Sequence, residues 1–299
     1  MANTLIVVLG PTGVGKSDTA VKLACHFGSE IISADSRQFY REMTIGTAVP
    51  PDSCLSLVKH HFIKFLSLKD YYSSSLFERD VLRLLPTLFE KNSRVIMAGG
   101  SGMYIDAVIN GIDDIPDTDP AIRYKFNRLY REEGLESLRV LLKLYDPDYY
   151  SKVDLKNHKR IIRALEICET TGRPYSAFLT KRKAERDFDI LRIGLIRERE
   201  LLYEMINQRV DNMISQGLEE EARNLFNMKN HNALKCVGYS EFFGFFEGRI
   251  TRDEAVRLIK RNSRRYAKRQ ITWWAEDKGI KWFDPESIPE IIRYVEENT

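Results

Sequence analysis

The chain has 299 residues, 43% hydrophobic and 30% charged, with 46 Lys or Arg against 43 Asp or Glu for a formal net charge of +3. That length holds one large domain and a smaller one, and a composition without low-complexity tracts or repeats excludes a disordered or repeat-built protein. So small a net charge excludes attraction to a polyanion through bulk charge, leaving local clusters to supply any that exists.

Leu5 to Leu9 is an apolar run that predicts a buried strand, and Gly10-Pro11-Thr12-Gly13-Val14-Gly15-Lys16-Ser17 after it matches G-x-x-x-x-G-K-[ST] in full. In such a loop the glycines turn successive backbone N–H groups inward on a phosphate chain, and the next helix presents its positive end. The lysine reaches the outer phosphate and the serine hydroxyl can hold Mg²⁺. The loop does not say whether the phosphates belong to ATP. Ala20, Leu23, Ala24 and Phe27 then recur at helical spacing, with Gly28 placed to end the helix in a left-handed turn. Glu30 to Ala34 is too short and too β-branched for a helix, so Asp35 stands at the carboxyl end of a second strand.

A helix is expected from a Ser75/Glu78 capping box to about Phe89, bent at Pro86. Arg94 to Ala98 follows as another buried strand, ending in Gly99-Gly100-Ser101-Gly102. Strands alternating with helices imply an α/β architecture, a P-loop NTPase-like parallel sheet flanked by helices, with ligands at the carboxyl ends of the strands. Gly10, Asp35 and Ser101 should converge there.

Gly111 to Pro120 is rich in Asp and Pro and reads as a linker into an inserted helical domain. Within it Ile161, Ile162, Leu165 and Cys168 share one helix face, Lys159, Arg160 and Arg163 the opposite one, and Gly172-Arg173-Pro174 closes the helix. Ile190 to Ile196 reads as a strand returning to the sheet, and Leu202, Ile206, Val210 and Met213 as the apolar stripe of the next helix. The expected division is 1–112 for the first part of the P-loop core, 113–187 for the insert, and 188–299 for the second part with a basic helix.

Between Glu254 and Glu276 there is no acid but seven Lys or Arg, and Arg261, Arg264, Arg265, Lys268 and Arg269 share a helix face. Tyr266, Trp273 and Trp274 lie in or beside this run as candidate stacking surfaces. One such helix is ordinarily a solvated face. With the Lys159 to Arg163 face and a third cluster at Lys181, Arg182, Lys183 and Arg186, nucleic-acid binding becomes the better reading.

Asp35 admits three roles: an Mg²⁺ partner beside the P-loop, a general base, or a cap on a neighbouring loop. Ser101 can cap the helix that starts after Gly100. The adjacent His60 and His61 are assigned no chemistry, since neighbours cannot easily share a metal. Cys25, Cys54, Cys168 and Cys236 lie far apart without C-x-x-C spacing, which fits reduced thiols rather than zinc or disulfides. No stretch approaches a membrane span, and no basic flank precedes the first apolar run, so a cytoplasmic protein without membrane contact is expected.

GPTGVGKS, SADSRQFY with IGTA after it, AGGSGMYIDA, NHKRIIRALEI, KCVGYSEFF and RRYAKRQITWW span nearly the whole chain in this order. Together they closely resemble the tRNA dimethylallyltransferases of the bacterial type, a far more specific match than the P-loop alone. The resemblance implies transfer of a dimethylallyl group from dimethylallyl diphosphate to the N6 amine of adenosine 37, beside the tRNA anticodon, releasing diphosphate. It implies Mg²⁺ as cofactor, held through Ser17, and the tRNA anticodon stem-loop as partner; a monomer is expected.

On this resemblance Gly10, Pro11, Thr12, Gly13, Val14, Gly15, Lys16 and Ser17 hold the diphosphate, with Arg209 as a clamp. Asp35 is the base that accepts the amine proton, and Lys16, Ser17 and Ser101 complete the catalytic set. Contacts to tRNA fall at Asp35, Ser36, Arg37, Gln38, Ser101, Arg123, Lys159, Arg160, Ile161, Ile162, Arg163, Lys235, Cys236, Val237, Gly238, Tyr239 and Ser240, consistent with extruding the target base into a pocket and with a tRNA-binding insert. The family commonly has threonine where this chain has Ser101; the hydroxyl is retained. No Cys/His cluster follows the tryptophan pair, unlike eukaryotic members with a zinc finger. Without the resemblance the same loop and strand-end Asp suit a small-molecule or nucleotide kinase, and a nucleotide-switched RNA-binding module is a third reading.

Overall fold

Thr4–Leu9 (β1) is buried along its whole length because it lies inside a parallel sheet covered on both faces. The computed structural model describes residues 2–113, 115–116, 118–180 and 184–299. Ile31–Ser33 (β2), His60–His61 (β3), Arg94–Gly99 (β4), Asp189–Leu195 (β5) and Ile280–Phe283 (β6) complete the sheet, in the order β3-β2-β4-β1-β5-β6 with every pairing parallel. The expected strands are present, the second shortened to Ile31–Ser33. The histidine pair forms an edge strand that the sequence reading left unassigned, as it did β6.

Alternation along β1 sorts its side chains between two cores. Leu5, Val7 and Leu9 join Val95, Met97 and Ile32 under Phe77, Val81 and Leu85. Ile6 and Val8 face the other way with Ile96 and Ile193, against Ala20, Leu23 and Ala24 of the helix Lys16–Phe27. That helix ends at Gly28, left-handed at φ 64, with its N–H returned to the Ala24 carbonyl.

The helix Ser74–Phe89 starts two residues earlier than expected. Ser73, extended at φ −124, is the cap and its hydroxyl accepts the Leu76 N–H, while Ser75 is already helical and Glu78 pairs instead with Arg186 at 2.6 Å. Pro86 is accommodated inside the helix, in its last turn.

The chain divides into two compact units, Met1–Ile109 with Glu185–Thr299, and Asn110–Ala184. The boundaries fall at 110 and 184 rather than 113 and 187. The Ala184 N–H closes the neck of the insert on the Asn110 carbonyl at 2.7 Å, while Arg186 is tied to Glu78 and to the Ala107 and Val108 carbonyls of the core. The smaller unit is helical, with Phe126, Leu138, Leu142, Ile161 and Leu165 forming its own core. In the larger unit the helix Arg199–Ser215 buries Leu202, Ile206, Val210 and Met213 as the spacing predicts, and Arg252–Trp274 is one long helix.

Candidate active site

Register places the strand ends side by side: Leu9 pairs with Gly99 and with Gly194, and Ser33 with Ala98. Gly10, Asp35 and Ser101 therefore emerge at one edge of the sheet, as expected. The loop between β1 and its helix needs glycine at position 13, where φ is +80 and a Cβ would stand 2.8 Å from Ile206 Cγ1. Lys16 Nζ donates to the Pro11 carbonyl at 2.7 Å, and the N–H groups of Gly13, Gly15 and Lys16 have no hydrogen-bond partner among the described residues. Unpaired N–H groups at a helix start form an anion cradle. Burial, then the neighbouring Arg209, hold the Lys16 amine down at about 7, with Asp35 pulling the other way.

Arg209 itself makes no ion pair with any described residue, and burial lowers its guanidinium against the opposing pull of Asp35. A desolvated cation without an ion-pair partner beside an anion cradle is suited to meet a ligand phosphate.

Of the three roles its position allowed, the hydrogen bonds of Asp35 show one, the cap on its own loop. Its Oδ1 accepts the Arg37 N–H at 3.0 Å, fixing the turn, while Oδ2 accepts no hydrogen bond from a described residue and is free for chemistry. Ser101 heads the helix Gly102–Asn110 through its carbonyl, which accepts the Ile105 N–H at 3.1 Å, and not through its hydroxyl. Its hydroxyl reaches across to Ser36, accepting the Ser36 N–H at 3.0 Å and donating to the Ser36 hydroxyl at 3.1 Å, which pins the Asp35 turn from the next strand end.

Asp35 lies where two cavities meet. The smaller, about 40 Å³, contains Lys16, Ser17 and Gln38. The larger, about 520 Å³, is walled by Asp35, Ser36 and Arg37, by Lys235 to Gly238 and Ser240, and by Arg265, Tyr266 and Arg269 of the long helix. Four arginines, 37, 209, 265 and 269, and Lys235 make its walls cationic. The Tyr266 phenol faces this space, and burial with the Asp35 carboxylate pushes it up to about 12, so it stays a neutral donor and stacking surface. Among the described residues no three His, Cys, Asp or Glu side chains are grouped to hold a metal by themselves. A cation here would take substrate phosphates and water as most of its ligands, as Mg²⁺ does. The exposed Ser17 hydroxyl, without a hydrogen bond, and Asp35 Oδ2 are the protein oxygens that fit.

Several expected tRNA contacts have other duties. Gln38 is buried, accepting from the Ser33 hydroxyl and donating to the Thr47 and Ala48 carbonyls, so its amide is spent on the fold. Tyr239 is 0% exposed and its hydroxyl donates to Glu221 at 2.6 Å, unlike its neighbours in the 235–240 segment, which face the cavity. Ile161 and Ile162 are core residues of the helical unit and present no side chain to a ligand, because the apolar face of their helix must be covered. Arg123 clasps the fully buried Glu166 through Nε at 2.6 Å and Nη2 at 2.8 Å, and Arg163 approaches the same carboxylate at 3.6 Å. Lys159 and Arg160 are exposed and form no ion pair with a described residue.

Of the aromatic residues in the basic run only Tyr266 faces the cavity. Trp274 is buried, and Trp273 lies over Gly102 with its Nε1 donating to Asp106 at 2.8 Å. Lys181, Arg182 and Lys183 lie outside the described residues, and Arg186 belongs to the core.

Three site residues escaped the sequence reading. Gln270 accepts the Thr12 N–H at 2.8 Å and donates to the Gly100 carbonyl at 2.7 Å, joining the P-loop to the Ser101 loop. Glu241 accepts the Gly238 N–H and the Asn262 amide, fixing the 235–240 wall against the long helix. Glu221 gathers residues 44–46. Glu241 and Gln270 sit inside KCVGYSEFF and RRYAKRQITWW, the signal that could have found them, whereas Glu221 sits in no motif and offers none.

The IPP transferase family model matches residues 38–277, most of the chain. The tRNA dimethylallyltransferase of Christiangramia forsetii is 49% identical over 297 residues, 99% of this chain and 98% of that one. A tRNA dimethylallyltransferase 2 of Porphyromonas gingivalis is 52% identical over 95% of both chains. Among solved structures, the tRNA isopentenylpyrophosphate transferase of Bacillus halodurans is similar at a TM-score of 0.72 and 34% identity, covering 99% of this chain and 96% of its own. A eukaryotic dimethylallyltransferase seen acting on tRNA gives 0.79 and 26%, over 95% of this chain and 74% of its own.

Proposed function

The chain belongs to the IPP transferase family, the tRNA dimethylallyltransferases, and from that premise we propose that it takes the dimethylallyl group from dimethylallyl diphosphate and attaches it to N6 of adenosine 37, beside the anticodon. Transfer of a dimethylallyl group to tRNA is the activity of such an enzyme. The observation that carries the fuller reading is the position of Asp35 Oδ2, unpaired between a phosphate cradle and a cationic cavity large enough for an extruded base.

In this reading the N6 lone pair, otherwise drawn into the ring, forms the new C–N bond while Asp35 takes the amine proton. The allylic C–O bond breaks with its electron pair leaving on diphosphate. Lys16, Arg209 and the free N–H groups of Gly13, Gly15 and Lys16 receive that charge where it develops. Ser101 acts through Ser36, keeping the Asp35 turn in place. Mg²⁺, if bound as Ser17 and Asp35 allow, supplies further neutralisation of the diphosphate oxygens. Arg37, Lys235, Arg265 and Arg269 suit the phosphates flanking the target, and Lys159 and Arg160 on the helical unit suit the tRNA backbone.

The four cysteines of this chain are unpaired, in keeping with work on tRNA in the cytoplasm. The test is mass spectrometry of an unmodified A37 anticodon stem-loop incubated with the protein, Mg²⁺ and dimethylallyl diphosphate. A dimethylallylated oligonucleotide is expected; ATP-dependent phosphorylation of a small molecule in its place would overturn the reading.

A further inference from the structure

Glu221 stands on the short helix Leu218–Asn224, outside every segment assigned to substrate. Its carboxylate nevertheless collects four donors. Oε2 accepts the N–H groups of Thr44 at 2.9 Å and Ile45 at 2.8 Å, and Oε1 accepts the Gly46 N–H at 2.9 Å and the Tyr239 hydroxyl at 2.6 Å. Three consecutive backbone N–H groups turned on one anion form a nest, and hydrogen bonds to a charged acceptor are the stronger kind.

What hangs on that carboxylate is the cavity itself. Gly46 and Thr47 line one wall. From there the Thr47 and Ala48 carbonyls hold the Gln38 amide, whose oxygen takes the Ser33 hydroxyl two residues before Asp35. On the other side Tyr239 is the one member of the 235–240 segment turned away from the cavity, between Gly238 and Ser240, which line it. Its ring lies so close to Gly46 that a Cβ there would stand 2.6 Å from it. The two walls therefore meet at Glu221, and among the described residues no hydrogen bond or ion pair joins Lys16, Ser17 or Arg209 to this network.

We infer that Glu221 is a positioning residue for the nucleoside: by joining residues 44–48 to Tyr239 it sets the width of the cavity in which the target adenosine meets Asp35, without serving the diphosphate. The inference rests on the reaction proposed above. A carboxylate is needed because an amide would turn an NH₂ group toward two of the four donors, orphaning at least one half-buried N–H. A small widening of the walls misplaces the amine relative to both the base and the allylic carbon.

The test is steady-state kinetics with each substrate varied in turn. Wild-type protein that leaves tRNA unmodified would count against the reaction, not against this residue. With active wild type, Glu221→Gln is expected to lower kcat about tenfold to a hundredfold and to raise the tRNA KM, with the dimethylallyl diphosphate KM within about twofold. Tyr239→Phe, which removes one donor and keeps the ring, should shift the same parameters less, and it decides the matter if Glu221→Gln does not fold. Unchanged kcat and tRNA KM in either folded variant, or a parallel rise in both KM values, overturns the inference.

Discussion

Gln270 and Thr12 are 258 positions apart and share a hydrogen bond of 2.8 Å, from the Thr12 N–H to Gln270 Oε1. The same amide donates to the Gly100 carbonyl, so one buried side chain sets the P-loop against the loop that carries Ser101. Gly100 must be glycine for this to happen, since a Cβ there would stand 2.3 Å from Gln270 Nε2.

Gln270→Ala should therefore cost on two counts. Each orphaned buried group costs about 1–3 kcal/mol, so the melting temperature falls measurably. The freed P-loop should also bind dimethylallyl diphosphate more weakly, as read by calorimetry. A variant with wild-type melting and affinity would show that water replaces the amide at no cost.

Asp35→Asn keeps the Oδ1 acceptor for the Arg37 N–H and removes the base. Turnover should fall about 10²–10⁴-fold, the usual worth of a positioned general base. Binding of tRNA, measured by filter retention, should persist. Near-normal turnover would reduce Asp35 to the turn it makes with Arg37.

Lys16 carries a pH signature. Its amine sits at about 7 in the folded protein against 10.5 as a free side chain, chiefly through burial. Between those values the unfolded chain holds more protons, so this lysine's cost to stability is complete below pH 7 and is relieved as pH rises toward 10.5. Ligand binding runs the other way. A diphosphate favours the charged amine, so affinity should decline as pH climbs above about 7, with proton uptake on binding at pH 8. Calorimetry in buffers of different ionisation heat reads that uptake, and Lys16→Arg should abolish it.

Lys159 and Arg160 stand free of carboxylates, whereas Arg163 helps neutralise buried Glu166. Replacing Lys159 and Arg160 with alanine should weaken tRNA binding and flatten its salt dependence by about 0.7–0.9 in log–log slope for each phosphate no longer neutralised, while dimethylallyl diphosphate binding holds. An unchanged slope would return this face to solvent. Arg163→Ala should chiefly lower thermal stability, because it strips a partner from a carboxylate that water cannot reach.

The parts of this site legible in the sequence are those whose cause is local. The P-loop announces itself through glycine spacing, β1, β4 and β5 through apolar runs, and Asp35 through its place after β2. What stayed hidden depends on partners far along the chain. Two histidines carry no strand signal until Ile31 and Ile32 offer them an edge. The side chains of the motif positions Ile161, Ile162 and Tyr239 are buried in the fold, since membership in a motif does not say which way a side chain points. Glu221 and Gln270 are single polar residues without a pattern of their own, and only their long-range hydrogen bonds reveal them.

The strand order also sets a timetable for synthesis. Residues of β1 leave the ribosome early, yet the strand lies between β4 and β5, and β5 starts only at Asp189. Throughout translation of 110–184 one flank of β1 is an unpaired edge, the kind that recruits foreign strands, while the helical unit being made carries the residues of its own core. Gln270 emerges later still, so the hydrogen bonds that set the P-loop against the Ser101 loop form only when Arg209 and the 235–240 wall are already present.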